Sequence, residues 1–155
     1  MVEKKEKIML IASYKREYTE MAISKIQHLI QKNKPDRIVV IKAVEERATQ
    51  ELVSATVGIE EKSSMLRSVR EEKKIRSDEL ASDLIKTLHQ MDIPIEVCFR
   101  MGEKISQEII KEFKRLDADL LVIHDTKKGT LDKIFGSCTT EEILERLDSN
   151  KVVKL

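Results

Sequence analysis

The sequence predicts an α/β fold: one domain with a doubly wound, mostly parallel five-stranded sheet and helices on both faces. Three observations predict it. Short apolar runs without polar alternation recur along the chain, as in strands buried on both faces of a parallel sheet. Between them, apolar residues repeat at helical spacing. The two kinds of segment alternate strand, helix, strand to the end of the chain, the order that right-handed crossovers require. The 155 residues suit a single domain spanning 1–155 around one core.

The first strand is KIMLIA, residues 7–12. From about Glu17 the pattern turns helical. Ala22, Ile26, Leu29 and Ile30 share a face, and Pro35 sets an end near Asn33. RIVVIKAV, 37–44, is the second strand, and Ile95 to Phe99, introduced by Pro94, is the third. Ile105, Ile109, Ile110 and Phe113 mark an amphipathic helix before a fourth strand, DADLLVIHD, at 117–125. Ile143, Leu144 and Leu147 lie on a last helix, and KVVKL is a short fifth strand. Between strands two and three, Leu80, Leu84, Leu88 and Met91 form a helical stripe, extended upstream by Leu66, Val69 and Ile75. The stretch 45–65 reads as an irregular or partly helical excursion. The mixed charges of 70–79 read as a solvated helix face.

Charged residues make up 37% of the chain, yet the net charge is +1. The overall field therefore gives no pull toward nucleic acid or a membrane surface. Aromatic residues are 3% and tryptophan is absent, which argues against a base-stacking platform. No apolar run approaches the roughly 18 residues of a membrane span, and MVEKKEK leads into a strand. The expectation is a soluble cytoplasmic protein with no nucleic-acid and no membrane partner. Cys98 and Cys138 lack C-x-x-C spacing and read as reduced thiols.

In such a sheet, ligands bind beyond the carboxyl ends of the strands, where strand order reverses. Three segments converge there: ASYK after strand one, VEER after strand two and HDTKKG after strand four. The stretch 122–144, VIHDTKKGTLDKIFGSCTTEEIL, has the layout of an anion site at a helix start. A strand runs into a loop carrying Lys127, Lys128 and Lys133, then Gly136-Ser137, then a helix. Ser137 or Thr139 would cap that helix, and its first amides would face the anion.

The chain resembles the universal stress protein family over nearly its whole length. FRMGEKISQEIIKEFKRLDADLLVIHDTKKG is similar to that family's third strand, glycine turn, helix and fourth strand. GSCTTEEILERLDSNKVVKL is similar to its closing Gly-Ser, helix and short last strand. Nucleotide-binding members share a loop written G-x2-G-x9-G-[ST]. Set on Gly136-Ser137, that pattern places Thr126 and Ile123 where two glycines would stand, with Gly129 out of register. The acidic residue of the first strand's exit falls at Ser13. Glycine lets a backbone reach positive φ and approach phosphate closely, so Ile123 and Thr126 put a family-like ATP pose in doubt. Ser13 offers only a neutral hydrogen bond to a nucleoside. The resemblance implies Gly136, Ser137, Thr139, Lys127 and Ser13 as the residues left for an anion. It also implies a homodimer built on the last strand, with Val152 and Val153.

Other chemistry is less supported. His124 and Asp125 sit at a strand exit, but neighbours on a strand point to opposite sides. His28 and His89 fall in helical segments, and no spacing suggests a metal. Cys138 at a helix start reads either as packing or as a thiol activated by the helix dipole. Cys98 reads as core. Ser13 lacks a nucleophile-elbow setting. The leading expectation is a universal-stress-type, non-catalytic regulatory or binding protein, homodimeric, with weakened or lost ATP binding and unknown protein partners. A second reading is an ATP- or AMP-binding switch with Mg as cofactor. A third is a weak ATPase or nucleotide-transferring enzyme on a related fold.

Overall fold

The computed structural model describes residues 5–46, 59–124 and 139–155, with the side chains of all of these but 59–65. Five strands alternate with the helices: β1 (Ile8–Ser13), α1 (Glu20–Asn33), β2 (Arg37–Glu45), α2 (Ile59–His89), β3 (Ile95–Gly102), α3 (Ile105–Leu116), β4 (Leu120–Ile123), α4 (Thr139–Arg146) and β5 (Val152–Lys154). The strand order is β3-β2-β1-β4-β5. Every pairing is parallel, so the sheet goes beyond the mostly parallel one expected. The order reverses between β1 and β4, which puts the crevice of the fold at their carboxyl ends.

Every residue of β1 is buried, as its unbroken apolar run predicts. Alternate side chains feed two cores. Leu10, Ile41, Ile109, Leu121 and Ile143 lie on the side of α3 and α4. Met9, Ile26, Ile38, Leu84 and Val122 lie on the side of α1 and α2. The amino ends of the strands are tied by carboxylates. Asp36 accepts from the Lys7 N–H at 2.7 Å, and Asp119 accepts from the Ile8 N–H at 2.9 Å.

Several boundaries move from their expected places. Helix α1 begins at Glu20, because Thr19 caps it by accepting from the Ala22 N–H at 3.1 Å. Strand β4 covers only four residues of the expected 117–125. Asp117 takes a left-handed conformation (φ 50°) that ends α3, and Asp119 is spent on Ile8. Strand β3 runs on to Gly102. Helix α2 reaches back to Ile59, so part of the 45–65 excursion is regular helix, while 47–58 lies outside the described residues. At 31 residues it is about 46 Å long, well past the sheet it covers. Its buried line is Ser77, Ala81, Leu84 and Leu88, and Ile75 is 59% exposed rather than part of the stripe. Of the three apolar residues expected on α4, Ile143 is interior; Leu144 is exposed, and Leu147 packs on the core from just past the helix end. No helix among the described residues is long and apolar enough to cross a membrane.

Candidate functional site

The crevice between the carboxyl ends of β1 and β4 is filled by side chains. His124, the residue after β4, is buried there. Its ring stacks on Tyr14 at 4.2 Å between centroids and 19° between planes, and meets Tyr18 edge-on at 4.9 Å. His124 Nε2 lies 2.7 Å from the Tyr14 carbonyl oxygen. That oxygen only accepts, so Nε2 carries the proton and donates. The Tyr14 hydroxyl donates back to the His124 carbonyl at 2.9 Å, and Thr140 Oγ1 donates to the same carbonyl at 3.2 Å. Tyr18 donates to the Ala12 carbonyl at 2.6 Å. Burial, with Tyr14 beside it, holds the Tyr18 hydroxyl well above its ordinary pKa, so it stays a neutral donor. The cluster thus joins β1, β4, α1 and α4 at the point where the fold would open for a ligand.

Beside this plug, β1 exits through a three-residue turn. The Arg16 N–H donates to the Tyr14 carbonyl at 2.7 Å. Lys15 sits at the apex with φ 62°, a conformation that favours glycine. The turn opens onto a cleft of about 250 Å³ between the ends of β1 and β2 and helix α2. Tyr14, Ala43, Val44, Leu80 and Ile105 supply its apolar surface. Lys15, Lys73 and Arg76 supply positive charge, with Glu45 the one acid among the described residues that line it. Lys73 Nζ is engaged by the Glu45 carbonyl at 2.8 Å. A smaller cleft of about 110 Å³ lies on the other side of His124, along the start of α1 and against Leu155. Pockets for drug-sized ligands usually span about 300–1,000 Å³, so neither cleft, as bounded by the described residues, encloses a whole nucleotide.

The residues expected at the site divide into three groups. Ser13 is the last residue of β1; it is buried and lines neither cleft. Ile123 ends β4 with its side chain in the core on the α3–α4 side, so at the crevice it presents backbone, and the side chain that fills the space belongs to His124. Thr139 is buried at the first position of α4, next to the Thr140 that binds the β4 exit. Thr126, Lys127, Gly136 and Ser137, with Asp125, Lys128, Lys133 and Cys138, lie outside the described residues. Val152 and Val153 form β5 as expected, half-buried against β4. Cys98 is half-buried on an edge strand rather than interior, and burial pushes its thiol pKa up. Sequence reasoning missed Tyr14 and Tyr18. The signal was present: they are the only tyrosines in the chain, and they flank the exit of the first strand.

No family model and no curated protein matches the chain. Solved structures do. The hypothetical protein MJ0577 superposes with a TM-score of 0.67 at 14% identity, over 96% of this chain and 94% of its own. A universal stress protein from Archaeoglobus fulgidus gives 0.61 at 12% identity, over 96% and 92%. A universal stress protein family protein from Arabidopsis thaliana, solved with AMP bound, gives 0.59 at 14% identity, over 96% and 90%. The chain has the fold of the universal stress proteins, end to end.

Proposed function

We propose that this chain is a universal-stress-type regulatory or binding protein, non-catalytic and homodimeric, whose adenine-nucleotide site is weakened. One observation carries the weakening: the buried His124 ring, stacked on Tyr14 and bonded to its carbonyl, occupies the crevice between β1 and β4. Strand exits at such a switch point are where ligands of open α/β sheets lie. The missing glycines at 123 and 126 and the neutral Ser13 act in the same direction. The reading is tested by calorimetry of nucleotide-free protein with AMP and with Mg-ATP. The expected result is no saturation below millimolar nucleotide, and no multiple-turnover hydrolysis. Micromolar binding at one per chain overturns the weakening.

The switch reading has its own support in the neighbouring cleft, where Lys15, Lys73 and Arg76 face an apolar surface. That combination suits a ligand with a flat apolar part and an anionic part, such as AMP. The homodimer reading is supported by the two strands that lie outermost among the described residues, β5 with Val152 and Val153 on one side and β3 on the other.

A further inference from the structure

Of the two edges of the sheet among the described residues, β5 offers three residues and β3 offers eight. The Pro94 and Gly102 carbonyls accept from the Ile38 and Glu46 N–H groups of β2. Peptide groups alternate sides along a strand. Ile95, Val97, Phe99 and Met101 therefore turn their N–H and C=O groups away from β2, toward the outside. Val97 is 41% exposed on this edge, and the strand contains no proline or lysine to blunt it. We propose that β3 pairs antiparallel with β3 of a second copy, about a two-fold axis at Cys98, to make one continuous ten-stranded sheet. This rests on the homodimer reading above and names the edge the dimer uses.

The register follows from the strand's self-complementarity. With the axis at Cys98, Glu96 faces Arg100 of the partner subunit, and Val97 faces Phe99 of the partner subunit. The side chains of Glu96 and Arg100 are 59% and 41% exposed, and each already holds an ion pair in its own copy, Glu96 with Arg37 at 2.6 Å and Arg100 with Glu112 at 3.5 Å. An axis at Glu96 or at Arg100 sets like charges face to face, which is unfavourable. An axis at Val97 or Phe99 sets neither charge across from the other, so each keeps only the partner in its own copy, Arg37 for Glu96 and Glu112 for Arg100. In the single copy, Arg100 donates to the outward Phe99 carbonyl at 2.9 Å. On pairing, the N–H of Val97 of the partner subunit takes that carbonyl, and Arg100 turns to Glu96 of the partner subunit. The two Cys98 residues then meet as a non-hydrogen-bonded pair, with Cα atoms about 4.5 Å apart. That separation lies within the roughly 4.4–6.8 Å that a disulfide bridges.

The test oxidises the Cys138→Ser protein at micromolar concentration with copper phenanthroline, so that Cys98 is the remaining thiol. The expected product is a Cys98–Cys98 dimer, identified on a non-reducing gel and by peptide mass. Adding Val97→Pro removes only an outward N–H and leaves the β2–β3 ladder intact, so the crosslink should disappear while the circular dichroism is kept. Glu96→Gln and Arg100→Gln should each lower crosslinking several-fold with the circular dichroism kept, and unchanged crosslinking in both overturns the register. These two variants keep the proposal testable even where the proline variant fails to fold. A dimer by light scattering without Cys98 linkage overturns β3 as the edge and points to the β5 tail. A monomer at all concentrations overturns the homodimer reading itself.

Discussion

Tyr14 is the residue on which the crevice turns. Its carbonyl accepts from both Arg16 and His124, and its hydroxyl donates to the His124 carbonyl while lying 3.4 Å from Thr140 Oγ1. Tyr14→Phe keeps the stacked ring and loses the hydroxyl, which leaves a buried carbonyl with one partner fewer. The expected loss is about 1–2 kcal/mol in urea unfolding with the slope unchanged. An unchanged midpoint would show that Thr140 alone satisfies that carbonyl. One residue on, Lys15→Gly relieves the left-handed backbone and should raise stability by about 1 kcal/mol. If Lys15 also serves the basic cleft, the same variant binds AMP less well, and calorimetry reads affinity separately from the stability that melting reads. Glu112 gives a pH test. The hydrogen bonds from Arg115 hold its carboxyl below the usual carboxylate range, with Arg100 assisting. A lowered pKa contributes stability above the ordinary value and loses it as pH falls through the lowered one. The stability difference between wild type and Glu112→Gln should therefore shrink as pH drops from about 5 to about 3. A difference that stays constant across that window would mean the pair adds no linked stability.

At the scale of elements, much was legible because burial pattern and period say the same thing. The apolar runs of β1 and of β2, the latter interrupted by Lys42, are too short for helices and read as strands covered on both sides. Pro35 and Pro94 fix where a helix must already have ended and where β3 begins. What was not legible depended on single side chains choosing backbone partners. Thr19 rather than Glu17 sets the start of α1, and Asp119 gives its carboxylate to β1 and shortens β4. Thr19→Ala should cost about 1 kcal/mol of stability, read by thermal melting as a drop of a few degrees. Ile75→Glu, on the exposed back of α2, should lie within about 0.5 kcal/mol of wild type although the sequence places it on the stripe. The crevice was half legible. Helical and strand periods located it, but they carry no information on whether His124 turns inward to fill it or outward to leave it open.

For the molecule as a whole, the proposed weakening of nucleotide binding turns on which side chain closes the crevice. Sequence logic puts the cause at Ile123 and Thr126, where glycines would stand. The fold separates the two possible causes at the end of β4. Ile123 is fully buried among the core residues on the α3–α4 side. Ile123→Gly therefore opens a cavity and should cost about 3–5 kcal/mol, with little gain in affinity from that side chain. His124 is the side chain that stands in the crevice, between the two tyrosines. His124→Gly removes the ring, keeps the Tyr14 and Thr140 donors to the residue-124 carbonyl, and gives the β4 exit the backbone freedom that phosphate loops use. Its melting point should fall by several degrees, while its affinity for AMP should rise at least about tenfold over wild type, roughly 1.4 kcal/mol by calorimetry. The comparison is internal, because both variants insert glycine at adjacent positions and both lose stability. If His124→Gly stays folded and binds AMP no better than wild type, the ring is structural and the weakness lies elsewhere. If Ile123→Gly alone raises affinity, backbone freedom at the strand end matters more than the volume of the plug.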